Sequence, residues 1–164
     1  MIYVGVSLVF LLVGFALGAY FIIYLSRGKI GDLYELSEKY REMTEILSLW
    51  MEFIECGNSI AEKLKAAGIE KIAIYGIGFL GKRLFAQLKD SDVKILYIVD
   101  QNSGSMYCNV PVVSLSKDIE QVDAIIITPV YYYYAIKKNI EYAVNCRILS
   151  IDDIIRDGDL NDME

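Results

Sequence analysis

Apolar residues keep three different rhythms along this chain. From Ile2 to Leu25 no position is charged, and the run IYVGVSLVFLLVGFALGAYFIIYL is apolar on every side. From Leu33 to Ile54 the spacing turns regular: Leu33, Leu36, Tyr40, Met43, Leu47, Trp50 and Ile54 recur at intervals of three and four. That is the pattern of one helix face. From Ile69 onward, short wholly apolar runs alternate with amphipathic stretches. EKIAIYG, VKILYIVD, VPVVSL, DAIIITP and CRILSI read as strands. FLGKRLFAQLKD and residues 130–144 read as helices, SKDIEQV as a brief helical turn and DDII as a closing one. Strands that are apolar throughout and separated by helices predict a parallel sheet covered on both faces.

The first run, taken as a helix, would be about 36 Å long, enough to cross a hydrocarbon core with some tilt. A cleavable signal peptide has a basic start and a shorter apolar stretch. Nothing basic precedes this one, so a retained transmembrane helix is predicted for residues 2–25. Arg27 and Lys29 follow the run directly, and the positive-inside tendency then places the carboxyl-terminal domain in the cytoplasm. The expected localisation is the cytoplasmic membrane, single-pass, with the membrane itself as a partner. Gly14 and Gly18 form one G-x-x-x-G, a spacing that lets two helices approach closely.

Residues 26–67 read as a juxtamembrane linker and helices. SRGKIGD, with two glycines, predicts a bend or fraying; Asp32 then caps a new helix with Glu35 in a capping-box arrangement. Two readings of the Leu33–Ile54 seam stand side by side. One is a parallel coiled coil, which with Gly14 and Gly18 would make a homodimer. The other is a helix laid on the following domain, favoured for Leu47 to Ile54 because Leu49, Met51 and Phe53 widen the apolar face. A further helix, Ser59 to Ala67, ends at Gly68. The domain proper is assigned to residues 68–156, and residues 157–164 form an acidic tail.

Within that domain, the first strand runs into GIGFLG, the spacing G-x-G-x-x-G. Gly76 permits the tight turn, Gly78 lets the backbone approach a phosphate, and Gly81 lets the helix pack close to the sheet. The amides of Phe79 and Leu80 open that helix, where the dipole favours an anion. Asp100 ends the second strand, 19 residues beyond Gly81, where a carboxylate accepts from ribose hydroxyls. No lysine or arginine stands in the following QNSGS, so a free ribose hydroxyl fits better than a 2′-phosphate. In the usual strand order Gly76–Gly81, Asp100 and Thr128 meet at one sheet edge. Thr128-Pro129 is also a sound helix start. The expected fold class is therefore α/β, a small Rossmann-like parallel sheet of about five strands preceded by the transmembrane and juxtamembrane helices. The ligand is expected to be NAD or a nucleotide-sugar such as a UDP-sugar.

Charge and composition narrow the function further. The net charge is −6 and no basic tract follows the pair at 27 and 29, which argues against nucleic acid as partner. Three cysteines, Cys56, Cys108 and Cys146, without a C-x-x-C pair suggest neither a disulfide framework nor a metal site. With no histidine, acid–base chemistry would fall to carboxylates, lysines and tyrosines. Tyr133 and Lys137 form Y-x-x-x-K, a pair in which lysine lowers a tyrosine pKa. Tyr134 and Lys138 repeat the spacing within the same run, which weakens it as a signal. Of the four tyrosines at 131–134, one or two are expected to line the ligand crevice.

The segments IAIYGIGFLGKRLFAQLK, VKILYIVDQN and VPVVSLSKDIEQVDAIIITP resemble the small nucleotide-binding domains of bacterial surface-polysaccharide biosynthesis. Such domains stand in front of membrane epimerase/dehydratases and sugar acyltransferases. The resemblance covers Glu70 to about Ile155 and rests on Gly76, Gly78, Gly81, Asp100 and the VPVVSL strand. It implies a nucleotide or nucleotide-sugar binding module, accessory or regulatory to a polysaccharide-biosynthesis enzyme. The large catalytic domain of many relatives is absent, so the expectation leans away from an enzyme. The alternatives are a minimal NAD-dependent nucleotide-sugar oxidoreductase or epimerase using Tyr133 and Lys137, and a structural membrane anchor with a vestigial nucleotide fold.

Overall fold

A computed structural model describes residues 2–101, 103–114, 120–156 and 160; within the first helix, the side chains of residues 2, 4, 6–10 and 25–29 lie outside that description. The chain divides into two units, Met1–Arg41 and Glu42–Glu164. The turn expected within SKDIEQV lies largely outside the described residues. So does the acidic tail, apart from Leu160, which is buried.

Helix α1 spans Ile2–Glu55, 54 residues. The bend expected at SRGKIGD is not there: a helical glycine costs only about 1 kcal/mol relative to alanine, and continuing a helix avoids the cost of nucleating a new one. Asp32 therefore lies inside α1 rather than capping a new helix. Glu35 forms an ion pair with Lys39 at 2.8 Å, and Glu38 one with Arg41 at 2.7 Å. Both pairs lie one turn apart on the helix surface, a favourable spacing whose attraction solvent screens. Leu11, Phe15, Leu17, Tyr20 and Phe21 are exposed in the first unit.

Among the described residues, no helix is long and apolar enough to cross a membrane. The expected transmembrane helix, and with it the single-pass membrane localisation and the expected fold class, are corrected accordingly. The apolar run is not a helix of its own. It is the opening of one whose later turns carry Asp32, Glu35, Glu38, Lys39 and Arg41.

The second unit is built on a six-stranded sheet. Its strands are β1 (Lys71–Tyr75), β2 (Lys94–Val99), β3 (Ser105–Tyr107), β4 (Val110–Val113), β5 (Ala124–Ile127) and β6 (Arg147–Ser150). Their order is β3-β4-β2-β1-β5-β6. All neighbours are parallel except β3, which returns antiparallel to β4. The sheet is therefore mixed rather than purely parallel, and has one strand more than expected. β3 is only three residues long, too short to show a period. It is made by the two-residue turn Cys108–Asn109, with φ of 48° and 69°; such left-handed pairs match the twist of a hairpin.

Alternate residues of the central strands bury to opposite sides, which is why β1 and β5 read as continuous apolar runs. Ile72, Ile74, Ile98, Ile126 and Leu149 face one layer. It comprises α2 (Ile60–Ala66), α3 (Phe79–Leu88), α5 (Ile151–Ile155) and the last turns of α1. Ala73, Tyr97, Val99, Ile125 and Ile127 face the other, where α4 (Tyr133–Ile140) supplies Tyr133, Ile136 and Ile140.

The end of α1 is part of the core. Ile46, Trp50 and Phe53 are buried, at the spacing of one helix face, and Trp50 Nε1 donates to Gln87 Oε1 on α3 at 3.1 Å. Such burial stabilises by roughly 1.5–3 kcal/mol per side chain. The docked face includes Trp50 but is rotated from the heptad seam, leaving Ile54 exposed. α2 ends in a Gly68 cap (φ +73°), with Ile69 N donating to Leu64 O and Gly68 N to Lys65 O, so β1 starts from a fixed exit.

Candidate functional site

The site begins where β1 stops. Gly76 takes φ +88°, a left-handed conformation that favours glycine, and its amide donates to Val99 O on β2 at 2.8 Å. A Cβ there would lie 2.9 Å from Pro129 Cγ. Gly81, within α3, is packed harder still. A Cβ on it would run into the carbonyl oxygen of Gly76 and lie 3.1 Å from Thr128 Oγ1. Gly78 is the opposite case: φ is −68° and no atom lies within 4 Å of the Cβ position. Its absent side chain leaves open space rather than relieving a clash.

Gly78 is the N-cap of α3, and no side chain caps that helix. The first amides of a helix have no partner inside it. Those of Phe79, Leu80 and Gly81 therefore lie at the positive end of the α3 dipole, beside an uncovered glycine. The side chains of the first two take no part. Leu80 is buried in the core, while Phe79 is half exposed with the Arg83 guanidinium 5.2 Å from its ring centroid. The expected contribution of Phe79 and Leu80 thus reduces to main-chain amides.

Asp100 follows the last residue of β2 and turns toward the glycine corner. Its Oδ2 accepts from the Ile77 amide at 3.0 Å. Thr128, at the end of β5, is buried. Its hydroxyl donates to Gly76 O at 2.8 Å, with Tyr75 O at 3.2 Å sharing the same hydrogen. Thr128 does not cap the following helix, as its place before Pro129 suggested. The chain enters a short 3-10 turn, Val130–Tyr132, without a side-chain cap, and the hydroxyl is spent on the glycine loop.

Beside this corner lies a cleft of about 500 Å³, lined by Gly76, Asp100, Gln101, Ser114, Tyr132 and Asn139 among others. That volume is of the size that holds small ligands. It opens at the carboxyl ends of β1, β2 and β4, next to the point between β1 and β5 where the strand order reverses. Ligands of doubly wound sheets bind at such a point. No lysine or arginine is among its described lining residues. Sequence reasoning named Asp100 and Gly76 and expected one or two of the tyrosines at 131–134 in the crevice, of which Tyr132 lines it; it did not name Gln101, Ser114 or Asn139. For Asn139 a signal existed, since Tyr132, Ile136 and Asn139 recur at the spacing of one helix face.

Tyr133 and Lys137 stand apart from this cleft. The Tyr133 hydroxyl donates to Ile148 O at 3.3 Å, and the Lys137 ammonium sits 5.9 Å from the centre of the ring. Burial first, then Asp153 and Tyr134, pushes the phenol up to about 12. A catalytic tyrosine of this type needs the reverse shift. Tyr134, in the repeated spacing, is almost fully exposed.

A family model described as C2185-like, N-terminal, matches residues 68–149, half of the chain. The chain belongs to this family. The C2185-like, N-terminal region begins at the Gly68 cap and ends within β6. It therefore contains the glycine corner, Asp100, Thr128 and all the described cleft residues. No curated protein and no solved structure matches the chain.

Proposed function

We propose that this C2185-like chain is a nucleotide-binding module whose ligand is a dinucleotide such as NAD or a nucleotide-sugar. The observation that carries the reading is Gly78. Gly76 and Gly81 are each required by the fold, whereas Gly78 stands in open space as the N-cap of α3, where its missing side chain leaves room for a ligand to approach the first amides. The phosphate would lie against the amides of Phe79, Leu80 and Gly81. The ribose would reach Asp100 and the uncharged remainder the cleft toward Tyr132 and Asn139. The absence of cations from the described lining suits a free ribose hydroxyl better than a 2′-phosphate. The sequence resemblance of Glu70 to about Ile155 supports an accessory role beside a polysaccharide-biosynthesis enzyme. A dehydrogenase-like role for Tyr133 is disfavoured by its raised pKa and by its hydrogen bond to the β6 backbone.

Calorimetric titration of the full chain with NAD, a UDP-sugar and ADP tests this. Saturable binding to one of these classes is expected, weakened by Gly78→Val and by Asp100→Ala and unaltered by Tyr133→Phe. Absence of binding to all three would overturn the reading, and turnover abolished by Tyr133→Phe would overturn the preference for a non-enzyme.

A further inference from the structure

The two polar side chains at the corner converge on a single peptide unit. The peptide joining Gly76 to Ile77 has one carbonyl and one amide hydrogen. The carbonyl accepts from Thr128 Oγ1 at 2.8 Å, and the amide donates to Asp100 Oδ2 at 3.0 Å. Thr128 belongs to the end of β5 and Asp100 to the end of β2, the strands on either side of β1. The peptide is therefore held from opposite sides of the strand it terminates.

We infer that Thr128 and Asp100 are positioning residues that pin the Gly76–Ile77 peptide plane, and that this pinned plane aims the amides of α3 at a ligand. A glycine flanks this peptide, and glycine leaves a peptide free to rotate because no Cβ restricts it. Without the two bonds the plane at Gly76 could turn over, carrying its carbonyl toward the face where an anion is to bind. The carbonyl also lies against Gly81, so its orientation sets how closely the first turn of α3 approaches β1. Thr128, expected to touch ligand, acts instead through the loop. Asp100 has this duty in addition to the ribose contact. The pinning itself is independent of any ligand, while its consequence for binding rests on the nucleotide reading above.

Amide hydrogen exchange of the full chain without ligand, read at Ile77 by NMR, tests the pin directly. Thr128→Val, nearly isosteric, and Asp100→Ala should each speed exchange at Ile77 about tenfold, the equivalent of one lost hydrogen bond, while exchange in β1 and β5 stays unchanged. Thr128→Ser and Asp100→Asn keep a donor and an acceptor in place and should restore the slow rate. Nucleotide affinity should fall roughly fivefold or more in Thr128→Val and recover in Thr128→Ser. Asp100→Asn separates the two duties of that residue, since it should restore the exchange rate and still weaken binding. Unchanged exchange at Ile77 in either disabling variant overturns the inference. So does acceleration spread evenly over the sheet, or failure of Thr128→Ser to rescue. A wild-type chain that binds none of the nucleotides refutes the proposed function, and the exchange measurement still decides the pin.

Discussion

Gly78 and Gly81 are both glycines of one motif, yet the structure assigns them opposite sensitivities. Replacing Gly81 by alanine places a methyl against the backbone carbonyl of Gly76, with Thr128 Oγ1 at 3.1 Å. The nearest obstacle is the main chain of Gly76, which no side-chain rotation relieves. Overpacking of this kind costs typically 1–3 kcal/mol, and rigid backbone puts it at the upper end, about 3 kcal/mol. Alanine's better helix propensity returns up to about 1 kcal/mol, leaving a net loss near 2 kcal/mol. For a unit of this size that lowers Tm by about 5–10 °C. Gly78→Ala meets no neighbour and needs no forbidden φ. Its cost is that of a poorer N-cap, about 0.5–1 kcal/mol. Thermal unfolding of the two full-length variants, followed by circular dichroism, makes the comparison, and nucleotide titration of the more stable one completes it. The expected pattern is a large Tm loss in Gly81→Ala, and a small one in Gly78→Ala accompanied by weaker binding. A Gly81→Ala protein that melts with the wild type, or a Gly78→Ala protein that loses more stability than it, would refute the packing argument.

Two further outcomes follow from the same geometry. Trp50→Ala removes a buried ring and its bond to Gln87, and should cost about 3–5 kcal/mol by urea denaturation. Since Trp50 is the chain's single tryptophan, wild-type fluorescence should report the docking of α1 on α3 without labelling. Asp123 should contribute a pH-dependent stability. Its Oδ2 accepts from the amides of Lys71 at 2.8 Å and Glu70 at 2.9 Å, and these bonds hold its pKa below the usual value. A carboxylate depressed in the folded state stabilises above its unfolded pKa, and loses that contribution as pH falls through the folded one. The Tm gap between wild type and Asp123→Ala should thus be full at pH 7 and shrink below about pH 4. A gap constant from pH 7 to pH 2 would refute the assignment.

What the amino-acid order determined by itself was local and repetitive. Wholly apolar runs between amphipathic ones placed β1, β2, β4, β5 and β6, because a strand buried on both faces has no polar side to show. The glycine spacing marked the corner, because a turn with positive φ and a close helix approach each exclude other residues. Asp100 was placed at the end of β2 by the apolar run before it and by its spacing from Gly81, and there it meets the Ile77 amide. Length and hydrophobicity without a partner misled: the run to Leu25 read as a membrane span, and the glycines at 28 and 31 read as a break in a helix that is continuous. Tertiary structure alone decided which neighbours meet. It brought Thr128 to the carbonyl of Gly76 rather than to a helix cap, turned Trp50 onto Gln87, and set Tyr133 against Ile148 while Tyr132 and Asn139 took the cleft. β3 also belongs to this second class, since three residues carry no period and pair only because β4 offers an edge. Each of these outcomes joins residues distant in sequence, and what a buried hydroxyl or ring does is fixed by the partner it finds there.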